Sequence, residues 1–333
     1  MDELVNIQKA IFQQIKGNLP PNLSFVHEIA QVLGISYDSS YRRIRGDKVL
    51  SFEDLYKLCA HFKISVDSFC SVPTNKVVFD CHFVEPESFE VTDWLKFILG
   101  SVKRFQAAKE REIIYSAKDP PIFHYFQFPE ISAFKVFFWE KTLYKFPNLK
   151  DSLFRLDDMN PDIQKIGRQI LSVSTKIPTI EIWNQDTFNI TLSQIEYYWV
   201  SGLFAKKDDF LNILDKLEQW IFHIQKQAEY GCKFIYGEPA EGLENSFQLY
   251  ENELVLGDNT VFVKLDGVSI VYKTFNSLNL LYTTKPDFCE KVETYLQGLI
   301  SSSNLISQVG EKVRNRFFNK LLHSVKEFRE RVI

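Results

Sequence analysis

Residues 24–69, SFVHEIAQVLGISYDSSYRRIRGDKVLSFEDLYKLCAHFKISVDSF, decide how the N-terminal part of the chain is read. Val26, Ile29, Ala30 and Leu33 recur at three- and four-residue steps, which puts them on one helix side, with Ser24 placed as the N-cap. Gly34 stops that helix. In Gly34-Ile35-Ser36 the glycine supplies a left-handed backbone, Ile35 an apolar plug, and Ser36 a cap for a second helix, Tyr37 to Arg45. This second helix, YDSSYRRIR, is dense in side chains that bond bases and phosphates, and it runs into Gly46-Asp47-Lys48. Ser51-Phe52-Glu53-Asp54 has the form of a capping box for an amphipathic helix with Leu55, Leu58, Cys59 and Phe62 inward. A final turn from Ser65 returns Val66 and Phe69 to the same core.

Small Ala30 four residues before the turn glycine, apolar Ile29, Leu33 and Ile35 around it, the Arg45-Gly46 ending and the L-S-x-x-x-L-x-K-L run after it form one ordered pattern. It resembles the helix-turn-helix domain of phage-repressor-type regulators, the XRE family, over about the first 70 residues. The resemblance implies a structural frame of Ala30, Gly34, Ile35 and Ile44, with the N-terminal part of helix 37–45 in the major groove of double-stranded DNA. Tyr37, Asp38, Ser39 and Arg42 then lie at base edges, Arg42 foremost, because a bidentate arginine to guanine is the commonest specific contact. Arg43, Arg45 and Lys48 are expected on phosphates, which set register without reading sequence. One position departs from the pattern: nine residues after the turn glycine the family is usually apolar, and this chain has Arg43. Either the helix is rotated so that Ser40 and Ile44 face inward, or Arg43 lays its stem over the core.

Three arginines and a lysine within seven residues are, alone, a common feature of a solvated helix face. Here the cap, turn and core residues independently designate the exposed face, and the cluster falls on it. The first 70 residues hold eight acidic and eight basic side chains, and the whole chain carries a formal net charge of −4. Binding is therefore expected to rest on local contacts and on a homodimer spanning paired half-sites, not on bulk charge.

At 333 residues the chain suggests two or three domains, and 45% hydrophobic with 25% charged residues is an ordinary globular balance. Five scattered cysteines with no C-x-x-C spacing favour a reducing, cytoplasmic setting. The opening MDELVNIQKAIFQQI lacks a basic-then-apolar signal arrangement, and no run of 18 apolar residues occurs, so no membrane association is expected. The six histidines are scattered without H-x-x-x-H spacing, and Cys81-His82 reads as a strand pair pointing to opposite faces, so neither metal nor cofactor is expected. Nucleotide-binding, nucleophile-elbow and kinase signatures are absent, and Asp157-Asp158 and Asp208-Asp209 read as helix starts; the chain does not read as an enzyme.

Beyond Ser71-Val72-Pro73-Thr74-Asn75, where the domain boundary is expected, strands and helices alternate. Residues 76–84 and 113–115 read as strands and 88–109 as a long helix; helices follow around 130–145, 161–174 and 187–204, with a strand at Thr179–Trp183. In 207–229, Phe210, Leu214, Leu217, Ile221, Ile224 and Ala228 would suit a dimer seam, but Leu211, Ile213 and Trp220 widen the stripe to that of a core helix. Residues 246–256, 260–265 and 268–275 read as an antiparallel meander, its second turn an Asp266-Gly267 hairpin. Helices 286–300 and 305–331 close the chain; the last carries Val309, Val313, Phe317, Leu321, Val325 and Phe328 on one face and a basic opposite face that reads as solvated, or alternatively as a second nucleic-acid or membrane-surface element.

The expected fold is α+β overall: an all-α helix-turn-helix domain, residues 1–72, then a larger mixed α/β region, residues 76–333, with an antiparallel meander and terminal helices. A division of that region into 76–205 and 206–333 is the alternative. The expected function is a one-component, sequence-specific transcription regulator whose C-terminal region senses an effector ligand or protein, or mediates dimerisation. The alternatives are a phage-repressor or antitoxin-like protein whose C-terminal domain binds a partner polypeptide, and an enzyme fused to a helix-turn-helix.

Overall fold

The computed structural model describes residues 2–20, 22–66, 69, 76–81, 83–85, 89–254 and 256–332. It is mixed helix and sheet, and its contacts divide into two compact units, Met1–Val78 and Phe79–Ile333. The Ser71–Asn75 breaker, Cys70 and His82 lie outside the described residues.

The first unit is all helical among its described residues: α1 (Asp2–Asn18), α2 (Phe25–Leu33), α3 (Tyr37–Arg45) and α4 (Phe52–Phe62). Ile11, Phe12 and Ile15 of α1 join Ile29, Leu33, Leu58 and Ile64 in one buried core, with Ile35 and Ile44 packed against it. Gly34 ends α2 at φ 65°, giving its N–H to the Ala30 and Gln31 carbonyls, and the Ile35 N–H also reaches the Ala30 carbonyl at 3.0 Å. The Ser36 hydroxyl caps α3 by accepting the Ser39 N–H, and Ser51 and Asp54 form the reciprocal box at the start of α4. Ser24 occupies its cap position without a side-chain bond; only its carbonyl engages the helix, accepting the Glu28 N–H.

The second unit is built on one eight-stranded sheet: β1 (Asp80–Cys81), β2 (Arg111–Ala117), β3 (Thr179–Trp183), β4 (Phe247–Glu251), β5 (Thr260–Leu265), β6 (Val268–Asn276), β7 (Asn279–Thr283) and β8 (Asn304–Leu305). The order is β1-β7-β6-β5-β2-β3-β4-β8; β2, β3 and β4 are parallel, and every other pairing is antiparallel. The helices are α5 (Val91–Ala107), α6 (Ile122–Tyr125), α7 (Pro129–Phe138), α8 (Pro161–Ser174), α9 (Gln185–Val200), α10 (Lys207–Tyr230), α11 (Pro286–Ser301) and α12 (Glu311–Val332). Strand alternation separates two cores. Ile113 and Ala117 of β2 and Trp183 of β3 join the large core with α5, α7 to α10 and α12, whereas Ile114 and Ile182 meet Val292 and Leu296 of α11 on the other face. Covering both faces explains why adjacent strand residues such as Ile113 and Ile114, or Ile182 and Trp183, are both apolar.

Three expectations change. The meander is β5-β6-β7, not 246–275: β4 pairs with β3 and β8, because the helical crossovers from β2 and β3 lay β4 down on the far side of β3. The sheet joins strands from both sides of residue 205, so no division falls there. The strand expected over 76–84 narrows, among described residues, to Asp80–Cys81. The Asp266-Gly267 hairpin turn does form, with φ 47° and 85°. Helix α10 buries Phe210, Ile213, Leu214, Leu217, Trp220, Ile221, Ile224 and Ala228, a face too broad for a two-position seam. On α12, Arg316 pairs with Glu251 and Glu253, Arg329 with Asp215 and Glu218, and Arg331 with Glu196, so much of its basic character is met within the fold. Among the described residues no helix is long and apolar enough to cross a membrane, and no group of three or more His, Cys, Asp or Glu side chains could hold a metal.

Candidate nucleic-acid interface

Helix α3 has two unlike faces. Ser40 is fully buried, and its hydroxyl donates to the Val26 carbonyl of α2 at 3.0 Å, which sets the rotation of α3 against its partner. With that rotation, Ile44 packs at the core edge and Tyr37, Asp38, Tyr41, Arg42 and Arg45 point to solvent; Ser39 is half-buried.

Arg43 is the residue whose expected place must be corrected. Three residues on from Ser40, it follows the inward face and is 6% exposed. Its Nε donates to Asp54 Oδ2 at 3.1 Å, so it ties α3 to the capping box of α4 and is not presented to phosphate. Burial pushes the Asp54 carboxyl up, but the Ser51 N–H and the Arg43 guanidinium outweigh it and hold the carboxyl below its ordinary value. A charged side chain at a position where an apolar one is expected is thus matched by a second charge eleven residues later.

The end of α3 is held by a residue that the sequence reading passed over. Gln8 of α1 is buried; its Nε2 donates to the Arg43 carbonyl at 2.7 Å and the Lys48 carbonyl at 2.9 Å, and its Oε1 accepts the Leu50 N–H at 2.8 Å. These three bonds fix the turn that carries Lys48. Gly46 closes α3 at φ 85°, and a Cβ there would stand 2.9 Å from Val5 Cγ1, so the backbone angle and the approach of α1 both demand glycine.

What α3 and its turn expose is a mixed polar surface. Arg42 has no side-chain partner among the described residues and is exposed. Arg45 stacks over the Tyr41 ring at 4.9 Å and pairs with Asp47 at 3.0 Å; both members of that pair are about half exposed, so the pair is weak and its guanidinium exchangeable. The Lys48 side chain, in the turn after α3, is exposed. Arg42 and Arg45 thus share the exposed side of α3 with the hydrogen-bonding groups of Tyr37 and Asp38.

Elsewhere the fold pairs titratable groups distant in sequence. His124 Nε2 lies 2.9 Å from Glu181 Oε2, both side chains 4% exposed, and the Trp183 indole N–H donates to the same carboxylate. Sequence spacing holds no trace of this pair because its members are 57 residues apart on α6 and β3. Sealed from solvent, it ties that helix to the sheet.

The chain matches no known family model, and no curated protein or solved structure was found similar to it.

Proposed function

We propose that the chain is a sequence-specific DNA-binding transcription regulator that inserts α3 into the major groove. The observation carrying this reading is the division of α3: the buried Ser40 and Arg43 and the half-buried Ile44 fix its rotation, and that rotation leaves Tyr37, Asp38, Arg42 and Arg45 outward, with Lys48 exposed in the turn that follows. Arg42 reads a guanine edge, Tyr37, Asp38 and Ser39 contact neighbouring bases, and Arg45 and Lys48 hold phosphates. One such module covers a small site, so the reading includes a homodimer on paired half-sites, with the second unit supplying the dimer contact or an effector site.

A second reading rests on α4, where Phe52 is 86% and Tyr56 68% exposed, four residues apart on one side of the helix. Such a pair suits a protein partner, and in that reading DNA binding is secondary or lost. A salt titration with any duplex separates the two. For the regulator, the logarithm of the binding constant falls linearly with the logarithm of salt concentration, and Lys48→Ala lowers that slope by about one unit. A chain that uses its first unit only for protein contact shows no measurable duplex binding at low salt.

A further inference from the structure

The second unit has a cavity where the sheet changes direction. The chain leaves β2 toward β3 through the helical crossover, while β5 arrives on the opposite side of β2, so the carboxyl end of β2 faces an open crevice. In open α/β sheets, ligands bind outside the carboxyl ends of the parallel strands, and β2 is the outermost of the three parallel strands here. Here the crevice holds about 390 Å³, within the range of small-molecule sites. Its walls come from the segment after β2, the approach to β5, the end of β6, and helices α5, α6 and α9.

Five aromatic side chains line the crevice, Trp94, Tyr115, Tyr125, Trp139 and Phe275, with Trp94 and Trp139 edge to face at 6.1 Å. Two of the three charged lining residues are already paired; the third, the exposed Lys118, has no ion pair among the described residues. Asp119 accepts the Tyr125 hydroxyl at 2.8 Å and the fully buried Lys135 ammonium at 3.3 Å; Asp258 accepts Lys273 at 2.7 Å. Burial holds the Lys135 ammonium below its ordinary value against the pull of Asp119. Hydrogen-bonding capacity, by contrast, is unspent. The Trp139 indole N–H is buried with no acceptor, in a residue only 5% exposed. The Tyr115 hydroxyl has no partner among the described residues; burial above all, then the carboxylates of Asp119 and Glu181, pushes it well up, so it stays a neutral donor. The Gln194 amide oxygen accepts Lys135, which leaves its N–H₂ over, and Asp119, its side chain 22% exposed, keeps lone pairs to accept. A buried donor without an acceptor is costly, and a site with such donors favours the ligand that satisfies them.

We propose that this crevice binds a planar nitrogen heterocycle of the nucleobase class, a free base or its nucleoside, stacked on the aromatic walls and bonded to Asp119, Tyr115 and Trp139. The flat walls favour a ring, and the mixture of the Asp119 acceptor with several donors matches a ring edge that alternates N–H with carbonyl or ring nitrogen. The proposal stands whether or not α3 binds DNA.

The test is thermal unfolding and calorimetry of the full chain with adenine, hypoxanthine, uracil and adenosine as probes and L-tryptophan as the control. At least one probe is expected to raise the midpoint saturably while L-tryptophan does not, with Tyr115→Phe weakening binding about tenfold, the worth of one hydrogen bond of about 1.4 kcal/mol. Asp119→Asn is expected to abolish binding; because it strands Lys135, its fold is checked by circular dichroism, and if it fails to fold, Tyr115→Phe and Trp139→Phe carry the test. The proposal is overturned if no probe shifts the midpoint at millimolar concentration, if L-tryptophan acts as strongly as the bases, or if the folded variants bind unchanged.

Discussion

Arg42 and Arg43 are adjacent and chemically identical, and the fold gives them opposite tasks. Arg43 is spent on Asp54, so Arg43→Ala leaves a buried carboxylate without its partner and is expected to destabilise the first unit by about 1–3 kcal/mol in urea unfolding. Arg42→Ala removes an exposed side chain and is expected to change stability by less than about 0.5 kcal/mol while weakening binding to a recovered DNA site by about 1–3 kcal/mol. An Arg43→Ala variant that keeps full stability would show that the pair carries no weight. Gln8→Leu strands two carbonyls and one N–H at the end of α3, so it too is expected to cost about 1–3 kcal/mol and to weaken DNA binding without touching DNA. The sequence pointed to the exposed residues through the cap and turn, which are local signals. It left Arg43 open between two placements because its partner lies on another helix, and it was silent on Gln8, whose three acceptors and donors lie 35 to 42 residues away.

Among elements, those defined by short-range chemistry were legible. The Gly34 stop, the Ser36 and Ser51 caps and the Asp266-Gly267 turn each depend on a backbone angle or a bond within a few residues, and each forms. Strand order was not legible in the same way. Whether β4 pairs with β5 or with β3 depends on where long crossovers deliver it, and nothing within residues 246–265 encodes that destination. The wide apolar stripe of α10 did foretell its burial, because stripe width reflects how many neighbours a helix has. Two glycines test the packing of elements. Gly46→Ala puts a side chain at φ 85° and 2.9 Å from Val5, and Gly167→Ala on α8 puts a Cβ 2.3 Å from the Phe126 ring beside α6. Each is expected to lower stability by more than about 1 kcal/mol, read by thermal unfolding, whereas Gly202→Ala, with nothing within 4 Å of the added carbon, meets only the cost of its own φ.

For the whole molecule, the second unit carries a built-in acid sensitivity. Burial pushes the His223 imidazole from its ordinary 6.5 down to about 4, against the help of the Phe234 carbonyl and with the charges of His124 and Lys226 acting the same way as burial. The unfolded chain takes up this proton near pH 6.5 and the folded one only near pH 4, so the contribution is complete above 6.5 and is lost as pH falls from there toward 4. Urea unfolding at pH 7 and pH 5 is expected to show lower stability at pH 5, with a smaller difference in His223→Gln; equal differences would mean that other groups carry the effect. The regulator reading is the central claim, and selection from a random pool of duplexes tests it most directly, with the wild type beside an Arg42→Ala, Lys48→Ala variant shown to be folded. The account predicts a common, two-fold symmetric motif for the wild type and its loss in the variant. Recovery of no motif, or of the same motif with both proteins, would contradict it.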